Sequence, residues 1–459
     1  MNEPWSRART TAVGAAVGAV LLLVGAAFGR ADVAVLAGPL VGAALWGWLR
    51  TPSRDVEVSV GARDEADGSP DEAAGSDGTA GSDETVPRAG VAAGDEPGTL
   101  RTHVRVRAPR DTAGVALAVR RSNRSQDEVV VQVRGTRTVP LVVRTVRTGP
   151  QTVAEVDAIG IGPGGTSVSE PVEPASDEAL VLPTPGPLAQ LPLPHRLRGL
   201  SGAHPSRRPG EGGGLRDVHP YAPGDRLRRI DWRVTARRSP RLQELYVRRE
   251  LALAEAVVLL VVDSRDDVGP DPRTWRGSSR PRATDPTSLD LARQAATSLA
   301  QAYLSAGDRV GLDDLGAVRR PLPPGGGRRQ LDRIRHALAL TRPEGEPLHR
   351  VRAPQLPSGA LVVVFSTFLD DAAADAAVQW RRAGHRVVAV DVLPTLREAA
   401  LRDRERLALR LVRLARTDRL AAVQDADVEL VSWRDAPQVA LAGLARSGQR
   451  RPGAGAGVR

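Results

Sequence analysis

The chain contains no cysteine, which excludes disulfides and thiolate chemistry. It contains no lysine either: all 64 basic residues are arginine, in a background rich in alanine, glycine and proline. That bias points to a GC-rich genome rather than to a selected basic patch. Aromatic residues make up only 3% of the sequence, which leaves little to stack on single-stranded bases. Nucleic-acid binding is therefore set aside, despite a net charge of +10 and a pI near 11. Gly-x-Ser-x-Gly, His-Glu-x-x-His and a phosphate loop ending in Gly-Lys-Ser/Thr are all absent, and the seven histidines are scattered, so no nucleophile or zinc set is recognisable. Hydrophobic residues, at 41% of 459, are present in sufficient number for two or three domains with real cores.

Two apolar runs open the chain, residues 10–28 and 33–49, with Trp46 and Trp48 near the end of the second. Their length and the flanking Arg7, Arg9, Arg50 and Arg54 predict a transmembrane helical hairpin over 1–50 in the plasma (inner) membrane, making the chain a multi-pass protein whose remaining domains face the cytoplasm. Residues 62–98 carry ten acidic side chains against Arg63 and Arg88 in a Gly/Ser/Ala background, and are expected to be a disordered insertion. Around it, short alternating runs separated by turn residues predict a small antiparallel β-sandwich over 51–172. A Pro-rich linker is expected over 173–194.

From residue 251 the periodicity changes. The run 256–262 is continuously apolar, as in a parallel strand buried on both faces. Helices are expected over 288–305, 330–340, 372–383 and 396–423, and further strands over 309–312, 361–365, 386–392 and 428–431. This alternation predicts a doubly wound α/β domain over 251–446, followed by a disordered tail over 447–459.

Residues 195–250 join these regions, and from Arg196 to Arg249 they hold fourteen arginines against five acids. Within them, Pro223 and Gly224 suit a type II turn, because proline presets φ and glycine accepts a positive φ. Asp225 can bond amides beyond the turn and faces Arg226, Arg228 and Arg229. Trp232 is expected to be a buried anchor, with Asp231 beside it paired to Arg233 or Arg237. His204, His219 and His385 are expected in turns or at the surface. Two readings of Tyr221, Asp225, Asp231, Trp232 and Arg237 stand side by side: a structural brace, or a face that docks a partner or an anion.

The pattern Tyr221-x-Pro223-Gly224-Asp225-x-x-Arg228-x-Ile230-Asp231-Trp232, then Ala236-Arg237, closely resembles the signature of the bacterial "domain of unknown function 58" family. The resemblance implies a membrane-anchored protein with a von Willebrand factor A-like domain, encoded beside a MoxR-type AAA+ ATPase. A von Willebrand A domain implies a Mg2+ site at strand ends, with Asp-x-Ser-x-Ser on the first strand and a threonine and an aspartate from later loops. Asp263 keeps the first ligand position, but the two serine positions hold Arg265 and Asp267. Asp370 and Asp371 lie near Thr367 but out of register. An arginine at that position places a guanidinium where the divalent cation would sit, so metal binding is expected to be lost or rebuilt. The resulting expectation is a non-enzymatic adaptor that partners a MoxR-type AAA+ ATPase in assembling or maturing client protein complexes. The alternative is a Mg2+-dependent binding module using Asp263, Asp267 and Asp370 in a changed arrangement.

Overall fold

The computed structural model describes residues 5–49, 52, 54–61, 92–93, 98–121, 125–199, 202–276, 281–317, 320–344 and 359–450. They divide into two compact units, 1–181 and 182–459.

The first unit contains β1 (Trp5–Arg7), α1 (Arg9–Ala27), α2 (Ala31–Leu49), β2 (Glu57–Gly61), β3 (Ala92–Ala93), β4 (Thr99–Ala108), β5 (Gly114–Arg121), β6 (Gln126–Val131), β7 (Gly135–Arg144), β8 (Gly149–Ile161), β9 (Ser167–Ser169) and β10 (Val172–Val181). Its strands form two sheets. One runs β1-β9-β8-β5-β6 with β10 also on β8, and the other runs β2-β4-β3 with β7 also on β4. Alternate residues face inward, so Val104, Val106, Val115, Val143, Val153 and Val156 share one core with Trp5 and Val56. Trp5 donates its indole N–H to the Arg54 carbonyl (2.8 Å), which ties together the two ends of the helical excursion α1–α2. Most of the acidic stretch expected over 62–98 lies outside the described residues, as does the tail from residue 451.

The expected transmembrane hairpin is corrected. Among the described residues no helix is long and apolar enough to cross a membrane, and the multi-pass placement with cytoplasm-facing domains goes with it. Each helix has 19 residues, about 28 Å at 1.5 Å per residue, just short of a hydrocarbon core of about 30 Å. Arg9 and Asp32 fall inside the helices and shorten the apolar length further, and α2 contains Pro39. What the apolar runs do instead is pack on each other. A Cβ on Gly25 would come within 2.8 Å of the Ala34 amide nitrogen, so this crossing requires glycine.

The second unit contains β11 (His204–Pro220), α3 (Trp232–Arg238), β12 (Tyr246–Ala254), β13 (Val257–Val262), α4 (Ser288–Ser305), β14 (Arg309–Asp314), β15 (Leu322–Gly325), α5 (Arg328–Leu340), β16 (Leu361–Ser366), α6 (Ala372–Arg382), β17 (Arg386–Asp391), α7 (Asp403–Asp425), β18 (Glu429–Ser432) and α8 (Pro437–Arg450). The sheet order is β15-β14-β13-β16-β17-β18, parallel except for the edge strand β15. Every residue of β13, β16 and β17 is buried, because helices cover both faces. Residues from α4, α5 and α8 pack on one face with Leu260 and Val363. Residues from α6 and α7 pack on the other with Leu259 and Val364. The long arginine-rich helix begins at Asp403 rather than near residue 396, and α8 carries the described chain to Arg450.

The expected Pro-rich linker also has a different form. Its first part is β10. Residues 182–198, which include Leu188, Leu191, Leu193 and Leu197, lie as a strap on the α/β core. The strap joins the sheet structure only at its end, where Arg198 bridges Glu255, and three of its carbonyls are satisfied by side chains from the domain beneath. The Tyr303 hydroxyl donates to Pro192 O (2.6 Å), Arg386 Nη1 to Leu193 O (2.7 Å), and Arg335 Nε to Pro183 O (3.2 Å). Tyr303 is fully buried, and burial pushes its hydroxyl pKa well above the ordinary tyrosine value. Replacing Tyr303 by Phe is expected to cost about 1–2 kcal/mol of unfolding free energy, since it removes one buried hydrogen bond without opening a large cavity. Urea denaturation of the purified variant checks this, with faster proteolysis within 182–198 as a second readout.

Candidate functional site

Strands β13 and β16 are adjacent, and their connections leave to opposite directions along the sheet. This is the topological switch point, where α/β folds open a crevice at the carboxyl ends of the strands. Asp263 follows β13 directly, and Ser366 is the last residue of β16.

Between the two loops sits the Arg265 guanidinium, with its side chain 3% exposed. Nε and Nη2 donate to the two carboxylate oxygens of Asp263, both at 2.8 Å. Nη2 and Nη1 reach the two oxygens of Asp370, both at 2.9 Å. The planar fork of arginine suits such paired bidentate contacts. Ser366 Oγ donates to Asp263 Oδ2 (2.7 Å) and accepts from the Phe368 amide (3.0 Å). Phe368 is fully buried and holds φ +53°, a left-handed conformation that is strained for an aromatic residue. From α7, Arg416 Nε donates to Thr367 O (2.7 Å) and Arg419 Nη1 to Phe368 O (3.0 Å). Asp371 pairs with Arg419 rather than entering the cluster.

Two of the three expected metal ligands, Asp263 and Asp370, are thus brought together, but around a guanidinium. Asp267 is half-buried in the same loop and is not among the partners of Arg265. Among the described residues no group of three His, Cys, Asp or Glu side chains could hold a metal ion. With both carboxylates committed to a permanent cation, the residues present do not fit Mg2+, and no step is derived through it. Asp266 has a different environment. Burial, with Asp263 and Asp370 adding like charge, pushes its carboxyl up to about 6.

The signature segment lies between β11 and β12, which form a two-stranded ribbon. Pro223 and Gly224 are the central residues of a turn closed by the Asp225 amide donating to Ala222 O (3.0 Å), with Gly224 at φ +102°. Asp225 folds back to accept from the Ala222 amide (3.0 Å), and it lies 3.0 Å from His219 Nε2 and 3.6 Å from Arg249 Nη2. The Ala222 amide chiefly, with His219 and Arg249 beside it, holds the Asp225 carboxyl below the usual carboxylate range. The partners of Asp225 are therefore His219 and Arg249 from the ribbon, where Arg226, Arg228 and Arg229 are expected from the sequence. Asp231 caps α3 by accepting from the Val234 amide (3.0 Å) rather than pairing with Arg233 or Arg237.

Trp232, expected to be buried, is 62% exposed. It is the first residue of α3, whose inward face is filled by Thr235, fully buried and accepting from the Tyr246 amide (3.0 Å). Leu227 and Leu242 are also exposed, and so are Arg228, Arg233, Arg237 and Arg241. Among the described residues Arg233, Arg237 and Arg241 have no acidic partner. Tyr221 is partly exposed, with its amide donating to Leu245 O (2.7 Å). Charge and turn chemistry in the sequence pointed to this segment, whereas the contact from Asp370 to Arg265, 105 residues apart, carried no local signal.

These features define a doubly wound α/β domain that has an arginine-locked cluster at its switch point and carries a basic, tryptophan-bearing insertion on a β-ribbon. Residues 217–424 match the family model described as "Protein of unknown function DUF58", which supports the assignment of this segment to that family. No curated protein and no solved structure matches the chain.

Two outcomes are expected at the cluster. Arg265→Ala leaves two facing carboxylates and is expected to cost about 3–5 kcal/mol. Added Mg2+ should restore part of that loss, whereas neither Mg2+ nor chelator should shift the wild-type melting temperature. Thermal melts with and without metal measure both. For Asp266, the folded-state pKa of about 6 lies above the unfolded value of 3.8, so the folded state binds the extra proton and stability falls as pH rises through about 4 to 6. Asp266→Asn should therefore gain up to about 2 kcal/mol at pH 7, allowing for partial screening, and flatten that slope. Melting temperatures measured between pH 4 and pH 8 would reveal it.

Proposed function

We propose that the protein is a non-enzymatic scaffold or adaptor, and that it partners a MoxR-type AAA+ ATPase in the assembly or maturation of other protein complexes. The observation that carries this reading is the exposure of Trp232 on the signature, with Arg233 and Arg237 of the same helix having no acidic partner among the described residues. Tryptophan and arginine dominate the energetics of protein interfaces, and an exposed Trp offers a large apolar area for a partner to bury. The signature is then a docking face held in shape by its own brace: the Pro223-Gly224 turn, Asp225 with His219 and Arg249, and the Asp231 cap.

The α/β domain supplies the platform. Its strand order, with an antiparallel edge strand, supports a von Willebrand A-like reading, and in this reading the partner's contact does not pass through a metal. The non-enzymatic assignment rests on the sequence, which offers no recognisable nucleophile or zinc set. Ser366 is buried and donates to Asp263, a carboxylate already engaged by Arg265, and the neighbouring Ser264 donates to Asp314 (2.6 Å).

The test is affinity capture of the protein from its own host with ATP hydrolysis blocked, followed by binding measurements with the purified ATPase. Trp232→Ala, which alters only an exposed side chain, should keep the fold by circular dichroism and weaken binding at least tenfold. Failure to find an AAA+ ATPase under any nucleotide condition would overturn the partnership, and undiminished binding by Trp232→Ala would make the signature a brace alone.

A further inference from the structure

At the end of the α/β domain opposite the arginine-locked cluster, a cavity of about 290 Å³ opens between the strap, the end of α4, the start of β14 and α8. Leu188, Leu191 and Leu193 of the strap, with Ala302 and Ala306 of α4 and its cap, make its apolar wall. Three charged groups converge on it: His204, Asp308 and Arg446. His204 Nε2 lies 3.0 Å from both carboxylate oxygens of Asp308. Asp308 is almost completely buried and also accepts from the Ala256 amide (2.8 Å). Its carboxylate, by hydrogen bond and charge, raises the His204 imidazole pKa above the ordinary histidine value.

The wall is rigid by construction. Arg386, buried, donates to Leu193 O on the strap (2.7 Å) and to Leu444 O on α8 (2.8 Å), and it pairs with Glu429. One side chain thus fixes the strap and α8 to the same strand, and Tyr303 holds Pro192. The cavity is preformed, so a ligand entering it pays little for ordering the site.

The charge balance selects the ligand. His204 occupies Asp308, which among the described residues is the only carboxylate lining the cavity. Arg446 is exposed, has no acidic partner among the described residues, and places an uncompensated guanidinium at the rim of an apolar chamber. We propose that this cavity binds a small monocarboxylate with a short apolar body, its carboxylate on Arg446 and its chain against Leu188, Leu191 and Leu193. A guanidinium fork matches a carboxylate in shape and charge. A phosphate monoester, at about −1.5 to −2, exceeds what the single cation balances.

The probe is sodium octanoate, titrated calorimetrically into the full chain, with octanol, octylamine and octyl phosphate as companions. Octanoate should bind saturably and at least tenfold more tightly than the other three. Arg446→Gln should weaken it about tenfold or more, and Ala302→Leu, which fills the chamber without touching a charge, should abolish it. Equal binding of octanol would overturn the role of Arg446, and preference for octyl phosphate would overturn the carboxylate assignment. Octanoate binding unchanged in both variants would place the ligand elsewhere, for example on the exposed apolar hairpin α1–α2, and would overturn the site. Absence of saturable binding to the wild type would do the same.

Discussion

A guanidinium shared by two carboxylates holds the carboxyl ends of the central strands together. Asp263 and Asp370 belong to loops that leave neighbouring parallel strands in different directions, and each would repel the other if Arg265 were absent. The bond is nearly dry on the Asp263 side and half-open on the Asp370 side, so desolvation is limited while the geometry stays bidentate on Asp263. Around it, Ser366 and the strained Phe368 turn are held in one arrangement, and α7 is attached through Arg416 and Arg419. A covalently tethered cation differs from a bound ion in one respect that matters: it cannot leave, and it presents no open coordination position to a partner. The working surface of the domain is thereby moved away from the strand ends and onto the ribbon that carries the signature.

That ribbon shows how rigidity and exposure combine. Its turn and helix cap are satisfied internally, by Ala222, His219, Arg249 and Val234, so the segment does not need a partner to hold its shape. Trp232 and the neighbouring arginines, by contrast, contribute little to the fold they stand on. A surface built this way costs little conformational entropy on association.

Much of the α/β domain was legible in the sequence, because strands buried on both faces read as unbroken apolar runs: β13, β16 and β17 agree to within one residue at each end with the runs 256–262, 361–365 and 386–392. The helix α4 was equally plain, with Asp290 accepting from the Thr287 amide at its start. The misreadings share a physical cause. The strap looks like a linker because its proline and leucine pattern has no period, and its burial is supplied by Tyr303, Arg386 and Arg335 from distant parts of the chain. Trp232 looked like an anchor because residue type alone says nothing of which side of a one-turn cap a ring leaves. Asp370 looked out of register because register was judged along the chain, whereas the long reach of arginine tolerates a displaced carboxylate that a small metal ion would not. The runs of α1 and α2 are apolar, but among the described residues no helix is long and apolar enough to cross a membrane.

The strap has a further consequence for what counts as the domain. The matched interval 217–424 contains β13, β14, β16 and β17 but omits the strap, β18 and α8. The omitted pieces place Leu188, Leu191, Leu193, Val431 and Leu441 against the same core as Leu260 and Tyr303. Cut at those boundaries, the segment would keep its sheet centre and its arginine cluster while exposing the apolar floor on which the strap and α8 rest. The unit that a protease, a ribosome or a binding partner encounters is therefore longer at both ends than the unit that sequence similarity outlines.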